Sequence, residues 1–155
     1  MFRLMKKLVT EENIPEIAEY LIGLCKQKKN NTKAVLVFLQ GDLGAGKTTA
    51  TKTIARMFGI QEDVTSPTFV ILKRYMIPEP EKMGFSNLIH IDAYRLQSYE
   101  ELKKISFEQY LNDSQNIILL EWPEMVEDGG LAADVVVKIE HGEKEGERFV
   151  EILKK

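Results

Sequence analysis

The nine residues Gly41-Asp42-Leu43-Gly44-Ala45-Gly46-Lys47-Thr48-Thr49 have the types and the spacing to hold a chain of phosphates. In the pattern Gly-x-x-x-x-Gly-Lys-Thr, successive backbone N–H groups meet phosphate oxygens where a strand turns into the positive N-terminus of a helix. Gly41, Gly44 and Gly46 let the backbone approach closely, which a Cβ would obstruct. Lys47 has the charge and reach for the β- and γ-phosphates, and the Thr48 hydroxyl suits a place on Mg²⁺. The expected ligand is therefore a nucleoside triphosphate rather than a dinucleotide. From average residue usage, the four constrained positions would coincide in a chain of this length roughly once in two hundred. A glycine-rich turn that binds nothing is the poorer account.

Two carboxylates stand where such a site needs them. Asp92 follows the short apolar run Leu88-Ile89-His90-Ile91, and Glu121 follows Asn116-Ile117-Ile118-Leu119-Leu120. In open α/β sheets ligands sit outside the carboxyl ends of the strands, so an acid there can hold Mg²⁺ or orient a water. Four apolar residues and then an acid, some seventy positions beyond a phosphate loop, is the pattern of a carboxylate that binds Mg²⁺ directly or through water. Trp122 comes next and falls at the same edge. His90, two residues before Asp92 on the same strand face, is a candidate to support the site, although a histidine serving the core is the simpler reading. Thr65-Ser66-Pro67-Thr68-Phe69 lies between the first helix and the next strand, where hydroxyls such as that of Thr68 can sense a γ-phosphate. A capped turn with φ fixed by Pro67 explains the same residues equally well.

The elements that must position these groups follow from periodicity. Ala34-Val35-Leu36-Val37-Phe38-Leu39 is a buried strand feeding the loop, and Thr49 to Phe58 places Ala50, Ile54, Ala55 and Phe58 on one helical face, with Gly59 as its stop. Earlier, Thr10 can cap a helix with Pro15 in its first turns and Ile14, Ile17, Ala18, Leu21, Ile22 and Cys25 as its apolar stripe. Lys26 to Lys33 reads as a solvated basic connection. Val70 to Tyr75 is strand-like, and Ile77 to Asn87, with Pro78, Pro80 and Gly84, is a surface loop. Ser98 to Glu101 resembles a capping box opening a helical region that buries Leu102, Ile105, Phe107, Tyr110 and Leu111. Val135 to His141 and Arg148 to Leu153 alternate at period two around a Gly142 to Gly146 turn, a β-hairpin extending one edge of the sheet. His141 is expected to be exposed and inert. The fold class is α/β: one P-loop NTPase domain over 1–155, with a mainly parallel central sheet flanked by helices and an antiparallel C-terminal hairpin at one edge.

Composition narrows the function classes. The chain has 155 residues, and folding at that size buries roughly 68 to 70% of the unfolded surface, enough for a core without staples. The lone Cys25 has no internal partner and reads as a buried thiol in a reducing compartment. No apolar run nears the roughly 18 residues of a membrane span, and Met1 to Thr10 lacks the apolar centre and cleavage site of a signal peptide. A cytoplasmic protein without a membrane partner is expected. A net charge of -3 disfavours autonomous nucleic-acid binding, which needs a concentrated basic face.

Four blocks stand in order: GDLGAGKTT at 41–49, TSPTF at 65–69, HIDAYRL at 90–96 and LLEWPE at 119–124. Together they resemble the TsaE (YjeE) family, small bacterial P-loop ATPases that act with two other protein subunits in making threonylcarbamoyladenosine next to the tRNA anticodon. The resemblance runs from the phosphate loop to Glu124; the first forty residues and the C-terminal hairpin suit the family only in outline. It implies ATP and Mg²⁺ as cofactors, with Lys47 and Thr48 on phosphate and metal. It also implies a switch-like Thr65 to Phe69 segment, Asp92 and Glu121 as the site's acids, and Trp122 in an important motif beside them. The implied partners are the other subunits of that complex, with tRNA met only indirectly. ATP hydrolysis would drive the complex between turnovers. With no Arg in a loop evidently aimed at the γ-phosphate, hydrolysis is expected to be slow alone and stimulated by partners.

Two rivals share the loop. A small-molecule P-loop kinase needs an acceptor pocket and a mobile lid carrying Arg. Of the five arginines, Arg3 and Arg148 lie in terminal segments and Arg56 in the phosphate-binding helix, while Arg74 and Arg95 are not in lid-like insertions. A GTPase would carry a guanine-reading Asn-Lys-x-Asp, and that tetrapeptide does not occur in the chain.

Overall fold

The computed structural model describes residues 1–65 and 70–155. Among the described residues, seven strands form one sheet: β1 (Phe2–Val9), β2 (Val35–Gln40), β3 (Leu72–Met76), β4 (Asn87–Asp92), β5 (Asn116–Glu121), β6 (Val135–His141) and β7 (Arg148–Lys154), in the spatial order β1-β7-β6-β2-β5-β4-β3. The four central strands β6, β2, β5 and β4 are parallel. β3, β7 and β1 add antiparallel at the two sides. The expected α/β class holds, with the C-terminal hairpin extending the sheet and β1 pairing outside it.

Why these segments are central is visible in their side chains. Val35, Leu36, Val37 and Leu39 of β2 are buried, as is every residue of β5. A parallel strand covered on both faces has no polar side, so it reads as a continuous apolar run rather than an alternating one. Each such Val, Leu or Ile stabilises the fold by roughly 1.5–3 kcal/mol relative to an exposed position. One face carries α1 (Ile14–Lys28) and α2 (Lys47–Met57), packed through Leu21, Cys25, Ile54 and Phe58. The other carries α4 (Tyr99–Lys104), α5 (Phe107–Leu111) and a 3-10 segment Pro123–Gly129, packed through Leu102, Phe107 and Val126. Burial, reinforced by the Asp134 carboxylate, pushes the Cys25 thiol up to about 12, the behaviour of a buried, inert thiol.

Several local expectations are refined. The segment 77–87 is anchored rather than a plain surface loop: it contains the helical turn α3 (Pro80–Met83), and Phe85 is buried edge-on against Phe58 at 6.2 Å. The helical region after Ser98 breaks in two where Ser106 adopts φ 66°. Its capping box does not form as expected: Glu101 Oε2 accepts from the Gln97 N–H at 2.7 Å, and the Tyr99 N–H donates to Asp128 Oδ1 at 2.8 Å. Among the described residues, no helix is long and apolar enough to cross a membrane.

Candidate functional site

The C-terminal ends of β2, β4 and β5 deliver the site. Leu39 pairs with Glu121 across β2 and β5, and Asp92 pairs with Glu121 across β4 and β5. Paired residues on neighbouring parallel strands project to the same face, so the two acids stand side by side on the face that α2 covers. Asp92 is fixed by its own turn: its Oδ1 accepts from the Tyr94 N–H at 3.0 Å, an Asx turn. Thr68 lies outside the described residues, as does most of the Thr65 to Phe69 segment.

Residues 41–46 form the loop between β2 and α2, and Lys47 and Thr48 open the helix. Two glycines are obligatory here for different reasons. At Gly41 a Cβ would overlap the Ile139 carbonyl oxygen of β6, and Gly46 turns into the helix at φ 109°, a region costly for any residue with a Cβ. The Lys47 ammonium is folded back on the loop, donating to the Gly41 carbonyl at 2.6 Å and the Asp42 carbonyl at 2.9 Å. Burial pushes its pKa down, while the charges of Glu121, Glu124, Asp92 and Asp42 pull it up. Thr48 Oγ1 lies 3.3 Å from both carboxylate oxygens of Glu121, which is only 2% exposed. Thr51 Oγ1 is 3.4 Å and His90 Nε2 2.8 Å from Glu121 Oε1.

The donor set can be tested against Mg²⁺. Among the described residues no three His, Cys, Asp or Glu side chains are grouped to hold a metal on their own. Mg²⁺ does not ask for such a cage: it takes oxygen ligands at about 2.0–2.1 Å, so neighbouring ligands of its octahedron stand about 3 Å apart, and it is often held by one or two carboxylates plus substrate phosphates. A hydroxyl and a carboxylate 3.3 Å apart at the start of a phosphate loop fit that demand.

Trp122 is the strained residue of the site. It adopts φ 58°, ψ 50°, a left-handed conformation that costs a non-glycine residue about 1–2 kcal/mol, and it does so immediately before Pro123. The conformation lays its indole against Tyr94, with ring centroids 4.9 Å apart, and 4.1 Å from Lys47 Nζ. The ammonium that would meet phosphate thus rests on the only tryptophan. Addition of ATP is expected to change intrinsic fluorescence markedly as Lys47 leaves the ring. A flat titration under conditions where ATP binding is verified independently would assign the indole to packing.

Arg148 was missed. Its guanidinium, reaching from the first residue of β7, donates from Nε to the Ala45 carbonyl at 2.8 Å and from Nη2 to the Gly44 carbonyl at 3.4 Å. Sequence position makes it a terminal residue; the parallel pairing of β6 with β2 brings the hairpin back beside the phosphate loop. No local pattern names such a partner. Behind the loop, α1, α2 and the hairpin line a half-open, mostly apolar pocket of about 180 Å³, with Thr10, Glu11, Thr49 and Arg148 among its polar lining.

Comparison with known proteins bears on this geometry. A family model described as "Threonylcarbamoyl adenosine biosynthesis protein TsaE" matches residues 8–150. The chain is similar to the tRNA threonylcarbamoyladenosine biosynthesis protein TsaE of Haemophilus influenzae, 39% identical over 114 residues that cover 74% of this chain and 68% of that protein. It is also similar to the proteins of the same name from Rickettsia prowazekii, 41% identical over 59% of this chain and 58% of the relative, and Bacillus subtilis, 40% identical over 58% and 51%. The matches thus span from about half to about two-thirds of these relatives' lengths. The crystal structure of YdiB from Bacillus subtilis shares the fold, with a TM-score of 0.65 at 24% identity, covering 99% of this chain and 88% of that one. With the family pattern running from the end of β1 to β7, the chain belongs to the TsaE family of threonylcarbamoyladenosine biosynthesis proteins.

Proposed function

We propose that residues 1–155 form one Mg²⁺-dependent ATPase domain that binds and hydrolyses ATP, slowly alone and faster with the other protein subunits of tRNA threonylcarbamoyladenosine biosynthesis. The observation that carries this reading is the convergence of the Thr48 hydroxyl on the Glu121 carboxylate at 3.3 Å, directly beside a glycine loop that opens a helix. Bound Mg²⁺ would supply neutralisation of the developing charge on the phosphates. Lys47 would exchange the Gly41 and Asp42 carbonyls for β- and γ-phosphate oxygens, and Thr48 and Glu121 would hold the metal. Asp92, at the neighbouring strand end, would hold metal or orient the attacking water. The loop residues 41–49 would cradle the phosphates, Trp122 would flank them, Thr68 would sense the γ-phosphate, and the apolar pocket behind the loop would receive the base. Contact with tRNA would be indirect, through the partner subunits.

Binding measurements test the reading. Lys47→Ala removes charge-assisted bonds worth about 1.5–3 kcal/mol, so ATP affinity is expected to fall roughly ten- to a hundred-fold. Thr48→Ala is expected to weaken binding with Mg²⁺ more than binding in chelator. Equal losses in both conditions would overturn Thr48 as a metal ligand.

A further inference from the structure

We infer that His90 is the positioning residue that fixes the Glu121 carboxylate for Mg²⁺. The inference rests on the proposed metal role of Glu121 and adds to it a residue on a different strand. β4 and β5 run in parallel with His90 opposite Leu119 and Asp92 opposite Glu121, so the imidazole reaches diagonally across one face of the sheet to the carboxylate. Both side chains are sealed, His90 at 0% and Glu121 at 2% exposure.

A carboxylate this deep depends on hydrogen bonds from its surroundings. His90 Nε2 to Glu121 Oε1 is 2.8 Å, whereas the contacts from Thr48 and Thr51 are 3.3 to 3.4 Å. The Thr51 hydroxyl has a single proton and a competing acceptor in the Lys47 carbonyl at 3.2 Å. The Thr48 hydroxyl, which can give a lone pair to metal and still keep its proton for the carboxylate, stands farther off at 3.3 Å. Among the described residues the imidazole therefore makes the shortest hydrogen bond to the carboxylate. Its tautomer is set by what surrounds it: Nδ1 is buried without a hydrogen-bond partner among the described residues, so the proton belongs on Nε2, where it has an acceptor. A histidine that merely filled the core would have no need to face the acid; this one restricts its rotation and leaves the second oxygen to the Thr48 side, where a metal would bind. Partners of this kind are worth roughly 10- to 100-fold in metal affinity.

Two amide substitutions separate positioning from filling. Gln places its amide nitrogen about where Nε2 stands, whereas Asn mimics Nδ1 and falls short of Glu121. ATP affinity is measured with Mg²⁺ and in chelator. His90→Gln is expected to keep the gain in affinity that Mg²⁺ confers. His90→Asn is expected to reduce that gain roughly 10- to 100-fold while metal-free affinity holds. Equal behaviour of the two variants, or equal losses with and without Mg²⁺, overturns the inference. Glu121→Gln, run in parallel, distinguishes the two layers. If Glu121→Gln keeps the Mg²⁺ gain, the metal role of Glu121 fails and this inference with it. If it loses the gain and His90→Asn does not, only the assignment of His90 fails. Imidazole ¹⁵N shifts of the unaltered protein decide even where a variant does not fold: an Nε2–H tautomer at His90, its proton shifting when Mg²⁺ is added to the ATP-bound protein, is expected, and an Nδ1–H tautomer refutes it.

Discussion

Glu121→Ala is expected to lower ATP turnover by roughly 10²- to 10⁴-fold while leaving metal-free nucleotide affinity nearly unchanged. A metal at a phosphoryl oxygen is worth several kcal/mol of charge stabilisation, and each 1.36 kcal/mol is tenfold in rate. Alanine has a second effect. It leaves His90, Thr48 and Thr51 facing a void where the carboxylate was, and a buried group stripped of its partner costs about 1–3 kcal/mol in stability. Glu121→Gln removes the charge but retains volume and an acceptor, so it separates chemistry from folding: turnover should fall in both, and the melting temperature chiefly in the alanine variant. Asp92→Ala should also suppress turnover, together with the loss of the turn that holds Tyr94. The assay is steady-state phosphate release at saturating ATP. Turnover of Glu121→Gln within a few-fold of the unaltered chain would remove Glu121 from the chemistry.

What could be read from the chain beforehand was whatever is encoded within a dozen residues. β2 and β5 announce themselves because a doubly covered strand has no polar positions, and the loop between β2 and α2 because phosphate binding constrains residue types as well as spacing. β1 was invisible. Its sequence FRLMKKLV buries only Val9, so it has no periodic signature; pairing with β7 along its length makes it a strand. The same limit applied to the site. Asp92 and Glu121 could be placed at strand ends, but that they are register partners depends on the order β2-β5-β4, which no local pattern contains. Arg148 lies 103 residues from the carbonyl it holds. His90 was weighed chiefly as a core histidine, and it is buried as such a residue would be; its Nε2 is nevertheless spent on Glu121 rather than on the core. Trp122 was placed at the right edge, but its left-handed backbone and its seat on Lys47 arise from packing against Tyr94 and the loop.

The isolated protein is expected to hydrolyse ATP slowly and to gain roughly 10³- to 10⁵-fold when the other subunits of the modification complex are added. In-line attack requires metal, an oriented water and compensation of charge on the transferring group, and an arginine supplied for the last can be worth that factor. This chain provides for the first two more fully than the third. Arg148 is committed to the Gly44 and Ala45 carbonyls, and Lys47, in the proposed role, would serve the ground-state phosphates. The surroundings suit a covering partner: Leu43 of the phosphate loop is 73% exposed, and Tyr94 and Met125, near Asp92 and Trp122, are exposed large apolar side chains as well. A partner seated there could bring a cation or exclude water from the phosphates, and either would raise turnover without altering the loop. Such docking should also raise ATP affinity less than it raises rate, because the added interaction is made chiefly in the transition state. Phosphate release is measured for the chain alone and with the added subunits, across a range of ATP concentrations. Turnover by the chain alone on the order of 10 s⁻¹, the level of a self-sufficient enzyme, unchanged by the subunits, would show that the partners do not control hydrolysis.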